Sequence, residues 1–207
     1  MCNHTPSSSS NLLVYWIRST GPKRSIVNLI IKKINVFETF AGIGSQHKAL
    51  SQLKKKNILD FEVVNIAEWE IDAIISYHAI HHGGVSDKKL EKAMKEMAED
   101  KVNEYLEKFT FSSDGKVPVK DITRMKKDKK YRLYIANSEI KNLVDISKVQ
   151  GVEISNVDLL TYSFPCQDLS LQGKKLGLVN GKSSSLLWQI ERILEELKEI
   201  NKLPKYL

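Results

Sequence analysis

Cysteine is nearly absent. Cys2 and Cys166 are the only two in 207 residues, which excludes a disulfide framework and fits a reducing cytoplasm. No apolar run approaches the roughly 20 residues that a membrane-spanning helix needs. The start lacks the positive n-region of a secretory signal, and Leu12-Leu-Val-Tyr-Trp-Ile17 is too short for an h-region. Residues 1–32, with Ser7 to Ser10 and Thr20-Gly21-Pro22, read as a disordered or mis-started extension without a function of its own. The whole chain is 42% hydrophobic, enough for one sizeable core. The formal net charge of +7 favours anionic partners, nucleic acid being the commonest.

The ordered fold is expected to begin at Ile34-Asn-Val-Phe-Glu-Thr-Phe40, a strand-like run. It feeds Ala41-Gly42-Ile43-Gly44 and a helical stretch, Ser45 to Lys55, with Leu50 and Leu53 on an apolar side. Strand, glycine turn and helix together open a nucleotide-binding α/β fold, in which the glycines let backbone approach a ligand at the helix start. A third fingerprint glycine is missing, since His47 stands in its place. A second strand, Phe61 to Ala67, ends in Glu68-Trp69-Glu70, and an acid there is placed to bind ribose hydroxyls or simply to face water. His78, His81 and His82 have no Cys nearby and read as a helix end running into Gly83-Gly84 rather than as metal ligands. Further on, the apolar run Asp158 to Ser163 delivers Cys166 just behind Pro165. Cys166 is therefore either a presented nucleophile or a small buried hydrophobe.

Phe40-Ala-Gly-Ile-Gly44, Glu68-Trp69, Asp145-Ile146 and Phe164-Pro-Cys-Gln167, in that order, resemble the opening motifs of the DNA cytosine-5 methyltransferase family. Ser183 to Ile193 resembles the helix that follows them. The resemblance covers residues 34–207 and implies a Rossmann-like α/β methyltransferase fold, incomplete, with the first half of the parallel sheet. It implies S-adenosylmethionine as cofactor, held by Phe40, Gly42, Ile43, Gly44 and Glu68. Asp145 would read the adenine, with Trp69, Ile146 and Pro165 around it. It further implies Cys166 as the thiolate that adds to carbon 6 of cytosine in duplex DNA, a base that must leave the stack to be reached. Gln167, Ser170, Lys174 and Lys175 resemble the loop that closes on the DNA backbone. A restriction–modification setting in a bacterial cytoplasm or nucleoid goes with the family.

The stretch 86–137 reads as a charged insertion. Lys88 to Lys108 has a helical pattern with i,i+4 ion pairs. Lys120, Arg124, Lys126, Lys127, Lys129, Lys130 and Arg132, interleaved with Tyr131 and Tyr134, suit a nucleic-acid surface or a solvated face. The family's Glu-Asn-Val strand end and Gln-x-Arg-x-Arg motif do not occur in the sequence. Three readings follow: a methyltransferase half whose missing motifs lie on a second chain, an inactive truncated remnant, or a non-catalytic DNA-binding module using the insertion. In the first two the strand at Val157 to Ser163 is expected to have an unpaired edge.

Overall fold

A computed structural model describes residues 32–163 and 186–207, all within the compact unit Ile31–Leu207. Three parallel strands lie in the order β2-β1-β3: β1 is Lys33–Thr39, β2 is Asp60–Ala67 and β3 is Leu159–Tyr162. The α/β architecture with a short all-parallel sheet is that of an incomplete Rossmann-like methyltransferase fold. β1 is central because Val36, Phe37, Glu38 and Thr39 are all buried, and a strand covered on both faces needs no polar alternation. Two single bridges continue the sheet at its margins: Asn142 beside Ile66 of β2, and Tyr206 beside Leu159 of β3.

Six helices are described: α1 Ser45–Lys55, α2 Ile71–His82, α3 Asp87–Glu96, α4 Glu99–Leu106, α5 Lys127–Glu139 and α6 Leu187–Glu199. Successive strand residues point to opposite faces, and Ile66 and Ala67 accordingly enter different clusters. Ile66 joins Ile74, Tyr77, Leu106 and Leu133 under α2, α4 and α5. Ala67 joins Phe37, Leu160, Ile190 and Ile193 under α6.

Several expectations shift by a residue or two, and two shift in kind. The insertion's first helical stretch is two helices, broken where Met97 leaves the helical region. α1 buries none of its residues; Leu53 faces outward, and His47 instead packs edge-on against Phe61 and Tyr77 at 5.3 and 5.6 Å. α2 does end at Gly83, whose φ of 82° is the left-handed cap that glycine adopts without penalty.

Candidate cofactor and nucleophile site

The carboxyl ends of β1, β2 and β3 meet at one edge, where ligands bind in open parallel sheets. After β1 the chain turns through Phe40 and Gly42, both at φ 53°, and Gly44 at 85°, closed by Gly44 N–H donating to Ala41 O at 2.8 Å. The two glycines serve different ends. A Cβ on Gly44 would lie 2.2 Å from His81 Nε2 and 2.8 Å from Tyr77, so glycine there permits α2 to press against the loop. A Cβ on Gly42 would meet nothing within 4 Å; its conformation calls for glycine, and the space beside it is open. Ile43 is 55% exposed at the same edge. Thr39 Oγ1 donates to Thr161 O and Ser163 Oγ to Phe40 O, tying β3 to this turn.

Glu68 joins the second strand end to the first. Its Oε2 accepts from Gly42 N–H at 2.8 Å and its Oε1 from Glu70 N–H at 2.7 Å. Burial raises its carboxyl above the ordinary range, and the backbone N–H groups of Glu70, Gly42 and Trp69 oppose that rise. Trp69 is half-buried against the α2 cluster, and its backbone carbonyl accepts from Ser112 N–H. Ile146 is buried with Ala67 and Val149. Asp145 caps its own turn, with Oδ1 accepting from Ser147 N–H at 3.0 Å and from Ser147 Oγ at 2.6 Å.

Sequence reasoning missed a polar chain beneath the glycine turn. Glu38 is fully buried on β1 and accepts from the Tyr77 hydroxyl at 2.8 Å. The Tyr77 oxygen in turn lies 2.8 Å from His47 Nδ1. His47 stacks on His81 at 4.0 Å, and His81 Nε2 donates to Ile43 O at 3.0 Å. Burial drives the Glu38 carboxyl up to about 7. Burial, with His81 and His82 beside it, drives His47 down to about 4. One clue stood in the sequence: a Glu inside the apolar run Val36-Phe-Glu-Thr-Phe40. Among the described residues no group of three or more His, Cys, Asp or Glu is arranged to hold a metal ion.

Pro165, Cys166, Gln167, Ser170, Lys174 and Lys175 lie outside the described residues. Much of the insertion's basic charge is paired within the fold. Arg124 pairs with Asp121, Lys127 and Lys130 with Glu99, Lys129 with Asp72, and Arg132 with Asp87 and Asp128. Tyr131 is buried with its hydroxyl on Met97 O, and Tyr134 packs edge-on against Tyr105 at 5.0 Å. The buried Tyr131 ring is closed to the base stacking that single-stranded nucleic acid uses. No helix among the described residues is long and apolar enough to cross a membrane.

Residues 110–207 match the family model of the C-5 cytosine-specific DNA methylases. The chain is 43% identical over 183 residues to the orphan methyltransferase M.SssI of Spiroplasma monobiae, across 85% of its own length and 45% of that protein's. It is 39% identical over 176 residues to the type II methyltransferase M2.ScrFI of Lactococcus lactis subsp. cremoris, across 84% of its own length and 46% of that protein's. The chain thus spans about half the length of the curated relatives it matches. Residues 110–207 are thus similar to the C-5 cytosine-specific DNA methylases, and most of the chain is similar to these two methyltransferases.

Proposed function

We propose that this chain is the cofactor-binding and nucleophile-bearing half of a DNA cytosine-5 methyltransferase. The observation that carries this reading is the junction of Gly42 and Glu68 at the carboxyl ends of β1 and β2, with open space beside Gly42. The residues fit S-adenosylmethionine. Glu68 Oε2 accepts from Gly42 N–H and Oε1 from Glu70 N–H, and with two lone-pair directions on each oxygen the carboxyl keeps capacity for a ribose hydroxyl. Both Ser147 contacts fall on Asp145 Oδ1, which leaves Oδ2 for the adenine amino group. Phe40, Ile43 and Gly44 shape the rest of the cradle, with Trp69, Ile146 and Pro165 around the adenine.

When bound, S-adenosylmethionine supplies an electrophilic methyl group on a sulfonium centre. Cys166, as the thiolate, adds to carbon 6 of a cytosine displaced from the duplex and makes carbon 5 nucleophilic. Once carbon 5 is methylated and has lost its proton, the Cys166–carbon 6 bond breaks and the ring regains aromaticity. Gln167, Ser170, Lys174 and Lys175 close on the DNA backbone. The bacterial relatives support a role in or beside a restriction–modification system, acting where chromosomal DNA lies.

The other half of the machinery belongs at the β3 edge. Tyr206 N–H donates to Asp158 O and Leu160 N–H to Tyr206 O, which starts a fourth parallel strand. Beside it an open groove of about 430 Å³ is lined by Tyr162, Trp188, Leu194, Leu203 and Leu207. Further polypeptide, on this chain or a second one, packs there in the complete enzyme.

The test has two parts. The chain alone should bind S-adenosylmethionine in titration calorimetry; no heat up to millimolar cofactor would overturn the reading. Co-expressed with the half of a relative that it lacks, it should methylate duplex DNA. Cys166→Ser should abolish that transfer while leaving cofactor binding intact, and methylation that survives the change would sink the covalent mechanism.

A further inference from the structure

Asn142 ends up in an unusual place for a residue with no motif around it. It is buried, in the short connection between α5 and Asp145. Both of its amide protons and both lone pairs of its carbonyl are used. Nδ2 donates to Glu68 O at 2.8 Å and to Asn137 Oδ1 at 2.9 Å. Oδ1 accepts from Glu68 N–H and Val144 N–H, both at 3.0 Å. The amide orientation follows from this network, because the reverse one would set the NH₂ against two N–H donors.

The side chain therefore acts as a strand partner. Glu68 stands one residue past the end of β2, where the ladder gives its backbone no neighbour on the outer side. Asn142 closes both the N–H and the C=O of Glu68, as a paired strand would. The Ile66 bridge and Leu143 N–H donating to Ile66 O at 2.8 Å fix the register of this arrangement. The same carbonyl oxygen holds Val144, a buried β-branched residue at φ 65°. A branched side chain in the left-handed region costs on the order of 1–3 kcal/mol and persists only where its surroundings enforce it. Asp145 follows immediately, so the strained Val144 sets the direction in which Asp145 leaves the sheet.

We infer that Asn142 is a positioning residue that locks the spacing between Glu68 and Asp145, and so between the ribose and adenine subsites. The inference rests on the cofactor reading given above. No other side chain serves equally. Aspartate keeps the acceptor but loses both donors and brings a charge against Glu68 O. Leucine leaves Glu68 N–H, Glu68 O, Val144 N–H and Asn137 Oδ1 without this partner.

The test uses the 207-residue chain with S-adenosylhomocysteine as probe, and adenosine and methionine as separate competitors. Asn142→Asp and Asn142→Ser should weaken S-adenosylhomocysteine roughly tenfold or more, the usual cost of removing a group that orients a binding residue. The loss should be shared by adenosine and not by methionine. A purely structural role would lower the melting temperature of the variants while leaving the affinity of their folded fraction unchanged, and that result overturns the inference. Should both variants fail to fold, the wild-type protein decides by NMR. Saturation with S-adenosylhomocysteine should shift the Asn142 side-chain amide and the Glu68 and Val144 backbone amides, and their indifference overturns the inference. Failure of the wild-type chain to bind the probe at all overturns the cofactor reading itself, and with it this inference; that outcome is distinct from wild-type binding left unchanged in the variants.

Discussion

The helical segment from Asp87 to Glu139 and the loops at the strand ends use polar side chains in opposite ways. In the helical segment charges close on one another. Lys130 is fully buried yet holds Glu99 Oε1 at 2.7 Å and Thr123 O at 2.8 Å, and Arg132 spans Asp87, Asp128 and Val85 O. At the strand ends polar capacity is left over. Glu38 Oε1 and Thr161 Oγ1 are buried without a partner among the described residues, and Phe40 and Val144 hold left-handed backbone. Asn103 Oδ1 is the exception in the helical segment. The difference is one of reserve: paired charges in the helical segment give stability, while the strained, incompletely satisfied edge keeps the polar capacity that the proposed cofactor would use.

The largest effect should come from breaking the buried pair. Glu99→Ala leaves the buried Lys130 ammonium with a single carbonyl, and a charge kept from water without its counter-ion is strongly destabilising. Lys130→Met removes the charge itself and leaves Glu99, which is partly exposed, to water; it should cost clearly less. Urea unfolding of both variants checks the order. Equal losses would mean that the pair does not hold the segment, and the contrast with the strand ends would weaken.

Glu38 should give the next effect, and it depends on pH. Burial raises its carboxyl from 4.5 to about 7 in the folded protein, so the folded state binds the proton more tightly than the unfolded chain does. The resulting stability is complete below pH 4.5 and is lost as pH rises through about 7. Between pH 5 and pH 8 the wild-type protein should lose roughly 2–3 kcal/mol through this one group. Glu38→Gln should remove that dependence and be the more stable of the two at pH 8, compared by urea unfolding at both pH values. Parallel pH profiles for the two proteins would show that Glu38 is ionised in the folded state despite its burial.

How much of this was legible beforehand follows from the range of the interactions. β1, α1 and the turn between them were readable because a short apolar run and glycine chemistry are local, and α1 runs from Ser45 to Lys55 as expected. The ordered motifs pointed to the same family whose model residues 110–207 match. The Glu38–Tyr77–His47 chain was not legible, since its members stand 39 and 30 residues apart and meet only once α2 packs on the sheet. Asn142 was invisible for the same reason, standing 74 positions after Glu68. The basic run 116–132 could be read two ways because some of its acidic partners, Asp72 and Asp87, lie far upstream in sequence. Composition sees a charge; only the fold shows whether it is already spoken for.

The smallest effect sharpens the comparison most directly. Lys129 pairs with Asp72 at 2.5 Å, with side chains 40% and 62% exposed. An exposed pair of this kind is worth about 0.2–1 kcal/mol, so Lys129→Ala should barely move the melting temperature. Its effect on DNA is the more telling readout. A lysine that neutralises a phosphate adds close to one to the steepness of log affinity against log salt, and its removal takes that contribution away. With Asp72 already neutralising Lys129, the salt slope of duplex binding should be the same in Lys129→Ala as in the wild-type chain. A slope shallower by about one would mean that phosphate displaces Asp72. The helical segment would then be a binding surface after all, held closed by its own ion pairs until DNA arrives.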